Sequence, residues 1–170
     1  MAMKKFVILL NGDLTVTTRL TGQIAGARVV AADGGMRHAD RLGVVPECWI
    51  GDFDSSDLDL VKKWQDIPRH TFPAEKNQTD GEIAVDFVRK KEVSEIIMVG
   101  GLSSQLDHSL CHVLQLISLE KEDVKCFATD GIQEAWPLVA GSTRWSFPEG
   151  ATLSVLGLSD LENLNLSGVK

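Results

Sequence analysis

Glu95-Ile96-Ile97-Met98-Val99-Gly100 is apolar from Ile96 to Val99 and stops at a glycine, and a helix-like stretch, Leu106–Leu119, follows it. A strand that is apolar along its whole length belongs inside a sheet covered on both faces, and a helix between two strands is the usual way to bring them parallel. The same alternation extends in both directions. Strand-like runs stand at Phe6–Asn11, Arg28–Asp33, Cys48–Phe53, Arg69–Phe72 and Val124–Thr129. In Thr79–Glu92 the apolar positions Ile83, Ala84, Phe87 and Val88 form one helical stripe. In Leu106–Leu119 the stripe expected to face the core is Leu106, Leu110, Val113, Leu114 and Ile117. The pattern predicts an α/β fold: a three-layer sandwich around a mainly parallel, Rossmann-like sheet. Ligands in such folds bind outside the carboxyl ends of the strands.

From about Gln133 the pattern changes. Short runs at Glu134–Val139, Thr143–Phe147, Thr152–Leu158 and Asn163–Leu166 are separated by Gly, Pro and Ser, with no helical stripe between them. They predict an all-β unit, so residues 1–132 are expected to form one domain and 133–170 an incomplete β-sandwich.

The 170 residues carry a formal net charge of −7, which argues against a general nucleic-acid or anionic-membrane binder. No apolar run approaches a membrane span. Lys4 and Lys5 precede only the short run Phe6 to Leu10, which reads as a first strand and not as a signal peptide. Cys48, Cys111 and Cys126 are widely spaced and lack a CxxC, so reduced, buried thiols in a cytoplasmic protein are expected.

The strand ends carry the chemistry. They read Asn11-Gly12-Asp13, Ala32-Asp33-Gly34-Gly35, Gly51-Asp52-Phe53-Asp54-Ser55 and Gly100-Gly101-Leu102-Ser103-Ser104. Asp52 and Asp54, two apart in extended backbone, point to one side, and like charges held that close call for a cation between them. A hard divalent metal suits them. A helix cap would account for Asp54 but not for Asp52. Glycines on the same edge allow close backbone approach to phosphate. Lys76-Asn77-Gln78-Thr79-Asp80 and Leu106-Asp107-His108 each open a helix, and taken alone each reads as an ordinary helix start. His108 and His112 are spaced i, i+4, but no HExxH or cysteine pair supports zinc. There is neither GxGxxG after the first strand nor GxxxxGK[ST].

Taken in order, Asn11-Gly12-Asp13, Ala31-Ala32-Asp33-Gly34-Gly35, Pro46 to Ser55, Lys76 to Asp80, and Gly100-Gly101 with Asp107-His108 resemble the thiamin pyrophosphokinase family, from about Phe6 to the end of the chain. The resemblance implies transfer of the pyrophosphoryl group of ATP to the hydroxyl of thiamine, giving thiamine diphosphate and AMP. It implies magnesium held by Asp52, Asp54 and Asp80, nucleotide contacts from Asp33, Gly34, Gly35, Thr79, Gly100 and Gly101, and Asp107 on the substrate side. It also implies a homodimer whose active site joins the α/β domain of one subunit to the β-domain of the other. The chain departs from the family at Asn77 (usually aspartate), Gln105 (usually arginine in bacterial members) and His112 (commonly asparagine), and it stops before the final strands with their Ser-Asn segment. Two alternatives stand beside this reading: a pyrophosphokinase for another alcohol such as a hydroxymethylpterin, and a non-catalytic nucleotide- or thiamine-binding module.

Overall fold

The structure is a computed structural model that describes residues 4–53, 57–72 and 78–169. The chain forms two compact units, residues 1–140 and 141–170.

The first unit is a seven-stranded sheet. Its strands are β1 (Lys5–Leu9), β2 (Arg28–Ala32), β3 (Cys48–Gly51), β4 (Arg69–Thr71), β5 (Glu95–Val99), β6 (Lys125–Thr129) and β7 (Glu134–Ala135), in the spatial order β4-β3-β2-β1-β5-β6-β7. All neighbouring pairs are parallel except β6 and β7. The helices are α1 (Thr18–Ile24), α2 (Ala39–Leu42), α3 (Leu58–Lys63), α4 (Asp80–Arg89) and α5 (Leu106–Glu120), with a 3-10 turn at Asp33–His38 leading into α2.

Alternation along the strands sends neighbours to opposite faces, so one sheet makes two cores. Phe6, Ile8, Val30, Ile50, Ile96 and Met98 share one core with Ile83, Ala84 and Val88 of α4 and with Leu116 and Leu119 of α5. Val7, Leu9, Val29, Ala31, Trp49, Ile97 and Val99 share the other with Leu20 and Ile24 of α1 and with Ala39 and Leu42 of α2. Crossover handedness explains the division. From β1 to β4 the chain steps one way across the sheet, and right-handed crossovers put α1, α2 and α3 on one face. From β4 to β5 and on to β6 it steps the other way, and the same hand puts α4 and α5 on the opposite face. The reversal leaves a switch point between β1 and β5, where the connections leave in opposite directions and open a crevice.

Two expectations need correction. In α5 the buried face runs through His112, Leu116 and Leu119, while Leu106, Leu110 and Leu114 are 83%, 50% and 48% exposed. Leucines lie on several sides of this helix, so apolar spacing alone does not select the inner face. Cys111 is only half-buried, whereas Cys48 and Cys126 are buried as expected, and all three are free thiols.

The runs expected to begin an all-β unit divide differently. Glu134–Ala135 is the seventh strand of the main sheet, antiparallel to β6 with Ala128 opposite Ala135. Arg19 and Gln23 of α1 hydrogen-bond Glu134, and Trp136 stacks on Phe127 with ring centroids 4.1 Å apart. In residues 141–169 no strand or helix is described, and all of these residues are exposed except the half-buried Trp145. Among the described residues no helix is long and apolar enough to cross a membrane.

Candidate functional site

The carboxyl edge of the sheet is built outward from β1. Past the strand, the amides of the loop bond to its neighbours across the switch point: Gly12 N donates to Gly100 O at 3.0 Å, Asp13 N to Ser103 O at 2.8 Å and Thr15 N to Asp130 O at 2.8 Å. The carbonyls of the same loop are taken from the other side. Arg37 Nη2 donates to Asn11 O at 2.7 Å and to Gly12 O at 3.1 Å, and Arg41 Nη2 donates to Leu14 O at 3.0 Å. His38, buried, lies 2.8 Å from Gly12 O through Nε2. A carbonyl only accepts, so Nε2 carries the proton, and Nδ1 is buried with no partner among the described residues. The loop is thus pinned on both sides before any ligand arrives.

Burial holds the pKa of His38 below its ordinary value of 6.5. The Gly12 bond opposes that shift, Arg37 and Arg41 add to it, and Asp13 opposes it. Because the folded value lies below the unfolded one, the stabilisation is complete above about 6.5 and is lost as the pH falls below it. His38→Gln keeps an N–H donor for Gly12 O and does not titrate. Its urea midpoint is expected to fall less than that of wild type between pH 7 and pH 5; parallel decreases in the two proteins would remove the neutral, buried assignment.

The predicted glycines come together on this edge, and protein atoms account for their missing side chains. A Cβ on Gly34 would sit 2.4 Å from Asn11 Oδ1, and one on Gly35 would sit 2.1 Å from Leu9 O. Gly100 has φ +79°, and a Cβ there would meet Leu10 O at 2.5 Å. Gly101 would meet Leu10 Cδ1 at 3.1 Å. The loops after β1, β2 and β5 pack backbone to backbone, which draws their outer surfaces close together.

The acids lie at the ends of β2 and β3 and at the start of α4. Asp33 opens the 3-10 turn with φ 44°, a left-handed conformation that Asp tolerates, and its carbonyl accepts from Trp49 Nε1 at 2.8 Å. A Cβ on Gly51 would lie 3.4 Å from Asp33 Cα, so the β2 and β3 ends abut. Asp52, half-buried, follows Gly51. Phe53 then takes φ 62°, a conformation that costs a bulky residue on the order of 1–3 kcal/mol and that clusters at functional sites. Its ring packs edge-on against Trp49 at 5.0 Å, under the Arg69 guanidinium at 5.2 Å. Asp54, Lys76 and Asn77 lie outside the described residues.

Asp80, half-buried, is the first residue of α4, which packs across β1, β2 and β3. Thr79 caps that helix in a full capping box: its hydroxyl accepts from Glu82 N at 3.2 Å, and its amide donates to Glu82 Oε2 at 2.8 Å. Asp107 stands in the exposed first turn of α5, where its Oδ1 accepts from His108 N at 2.9 Å. It lines a groove of about 530 Å³ between α4 and α5 with Glu82, Leu110, Cys111 and Leu114. His108 is exposed, while His112 is buried with Nδ1 3.1 Å from Gly101 O.

Among the described residues no group of three His, Cys, Asp or Glu side chains is gathered that would cage a metal. Asp52 and Asp80 offer hard carboxylate oxygens. That donor set fits Mg²⁺, which is commonly held by one or two carboxylates while water and substrate phosphates complete its octahedron. Sequence reasoning missed the supports His38, Arg37 and Arg41, and it met His112 only as half of a histidine pair and as a departure from the family. The available signal was a histidine set among residues of apolar spacing, Met36 and Ala39 around His38 and Leu116 after His112.

A family model described as thiamin pyrophosphokinase, catalytic domain, matches residues 25–128, well over half of the chain. The thiamine pyrophosphokinase of Bacillus subtilis (strain 168) is 28% identical over 126 residues, covering 72% of this chain and 59% of the relative, so the chain spans less than two thirds of that protein. The crystal structure of a B. subtilis thiamine pyrophosphokinase superposes with a TM-score of 0.65 at 23% identity, covering 75% of this chain and 61% of that one. A thiamin pyrophosphokinase from Geobacillus thermodenitrificans gives 0.58 at 27% identity over 75% and 60% of the two chains, and the yeast enzyme gives 0.63 at 15% over 76% and 59%.

Proposed function

We propose a function for this chain from the premise that it belongs to the thiamin pyrophosphokinase family: transfer of the pyrophosphoryl group of ATP to the hydroxyl of thiamine. The hydroxyl oxygen forms a bond to the β-phosphorus, the bond from that phosphorus to the α-phosphate oxygen breaks, AMP leaves, and the hydroxyl proton passes to a base or to solvent. The observation that carries this reading is the family match over residues 25–128, which spans the Asp33, Asp52, Asp80 and Gly100 strand and helix ends at one sheet edge.

Within this reading each group has a task. Asp52, Asp54 and Asp80 would hold Mg²⁺, which would supply charge neutralisation for the phosphoryl transfer. Asp33 and the loops at Gly34-Gly35 and Gly100-Gly101 position the nucleotide, and Thr79 fixes the direction in which α4 presents Asp80. Asp107 lies on the alcohol side. Phosphoryl transfer rests on positioning and charge neutralisation more than on covalent help, so edge rigidity is what this chain contributes most. The fully assembled enzyme is a cytoplasmic homodimer whose partner subunit completes the thiamine pocket.

Mixing the protein with Mg²⁺, ATP and thiamine is expected to yield AMP and thiamine diphosphate in equal amounts, with AMP release dependent on thiamine. Release of ADP instead, AMP release that follows a hydroxymethylpterin and not thiamine, or binding of Mg–ATP with no AMP release over long incubation would each overturn the reading.

A further inference from the structure

The imidazole of His112 lies between two glycines from different elements. Its Nδ1 is 3.1 Å from Gly101 O, in the loop after β5. Its other edge rests on the first turn of α4: a Cβ on Gly81 would sit 2.8 Å from Nε2 and 3.3 Å from Cδ2. A Cβ on Gly101 would lie 3.5 Å from Nδ1. Leu10 touches the same two points, with Cδ2 3.1 Å from the Gly81 position and Cδ1 3.1 Å from the Gly101 position. Carbonyl oxygens only accept, so Nδ1 is the protonated nitrogen and Nε2 is the bare one facing Gly81. The ring, 4% exposed, is a spacer with one polar tether. It ties the β5 loop by hydrogen bond and occupies the space that a side chain at Gly81 would need at the helix start. Gly81 follows Asp80 directly, and Gly101 follows Gly100.

We propose that His112 is a positioning residue for Mg–ATP, one that holds the Asp80 end of α4 and the Gly100-Gly101 loop at a fixed separation so that the metal-side carboxylate and the nucleotide-side loop close on one triphosphate. The proposal rests on the functional reading above. Two features favour a spacer over a filler of core volume. An apolar side chain would fill the same space without the desolvation cost of a buried imidazole. In addition, its hydrogen bond falls on Gly101 and its other edge faces Gly81, both directly next to candidate site residues.

The test uses the full chain and measures ATP affinity by calorimetry, with Mg²⁺ and with EDTA, well below each variant's unfolding midpoint. His112→Leu fills the space but cannot donate to Gly101 O; His112→Asn restores a donor. His112→Leu is expected to weaken Mg-dependent ATP binding by about 10-fold or more, in the range of losses seen for residues that orient metal ligands. His112→Asn is expected to recover most of that loss, and the loss in His112→Leu is expected to be clearly smaller in EDTA than with Mg²⁺. His112→Leu binding Mg–ATP as wild type does, an equal loss with and without the metal, or no recovery in His112→Asn would each overturn the positioning role. A wild-type chain that binds no Mg–ATP removes the functional reading and this proposal together. A wild type that binds Mg–ATP yet releases no AMP with thiamine removes only the former.

Discussion

Asp52→Asn and Asp80→Asn are each expected to lower kcat/KM for thiamine-dependent AMP release by about 100-fold or more, roughly 3 kcal/mol of transition-state stabilisation. The two acids reach the same sheet edge by independent routes, one from the end of β3 and one from the start of α4. On the proposed reading the two carboxylates share one cation. Amide substitution keeps shape and removes charge, so the loss is expected in the metal dependence. The Mg²⁺ concentration for half-maximal rate rises, and excess Mg²⁺ restores part of the activity. Asp80 also sits in the first turn of α4, where an acid contributes about 0.3–1 kcal/mol through the helix dipole. Asp80→Asn should therefore lower the unfolding midpoint slightly more than Asp52→Asn does. Unchanged Mg²⁺ dependence in both variants would disprove the metal assignment. The matching variant Asp54→Asn extends the test to a carboxylate outside the described residues.

Gly35→Ala is expected to destabilise the first unit by about 3 kcal/mol or more, measured as a shift of the denaturant midpoint with an unchanged slope. A Cβ at that position would fall 2.1 Å from Leu9 O and 2.5 Å from Leu9 C, which are backbone atoms of β1 in the centre of the sheet and cannot swing aside. The loss should be the same whether or not nucleotide is present, because the obstacle is protein and not ligand. A stable Gly35→Ala variant that had merely lost ATP binding would show that the glycine serves the ligand directly. Gly100→Ala should behave similarly, with left-handed backbone strain added to a 2.5 Å approach to Leu10 O.

Much of this fold is legible in the sequence because its central strands are buried on both faces, whereas β4 is exposed along its length. Arg28–Asp33, Cys48–Phe53, Arg69–Phe72, Glu95–Gly100 and Val124–Thr129 each contain an observed strand, and Phe6–Asn11 covers β1 except for its first residue, Lys5. Most run one or two residues past the strand's end, where backbone bonds to the neighbouring segments continue: Leu10 N donates to Val99 O and Gly100 N to Thr129 O, each at 2.8 Å. Thr18–Ile24 leaves no periodic signal, since only Leu20 and Ile24 of that helix are buried. The 3-10 turn and α2 are too short to carry one. The inner face of α5 is hidden because its leucines surround the helix, and a histidine in place of an apolar residue marks the true core side.

Of the candidate site, the strand-end acids are legible because a carboxylate placed directly after a buried apolar strand breaks the run sharply, and a pair of them calls for a compensating cation. The purpose of the glycines is not. Whether a glycine faces a phosphate or a neighbouring backbone depends on distances between segments far apart in sequence, such as Gly35 and Leu9, or Gly100 and Leu10. What the scaffolding histidines hold is hidden for the same reason: the carbonyls of Gly12 and Gly101 that they bind are set by tertiary packing.

The small seventh strand has a consequence for anyone trimming this chain. Glu134–Ala135 covers the outer edge of β6, Glu134 is clasped by Arg19 and Gln23, and Trp136 shields Phe127. A fragment cut at residue 132 would keep the candidate site residues but leave an uncapped parallel strand, with its ladder groups and an aromatic ring open to solvent. Such an edge templates sheet-to-sheet association between molecules. The fragment's shelf life, not its turnover, would then be the first property to fail.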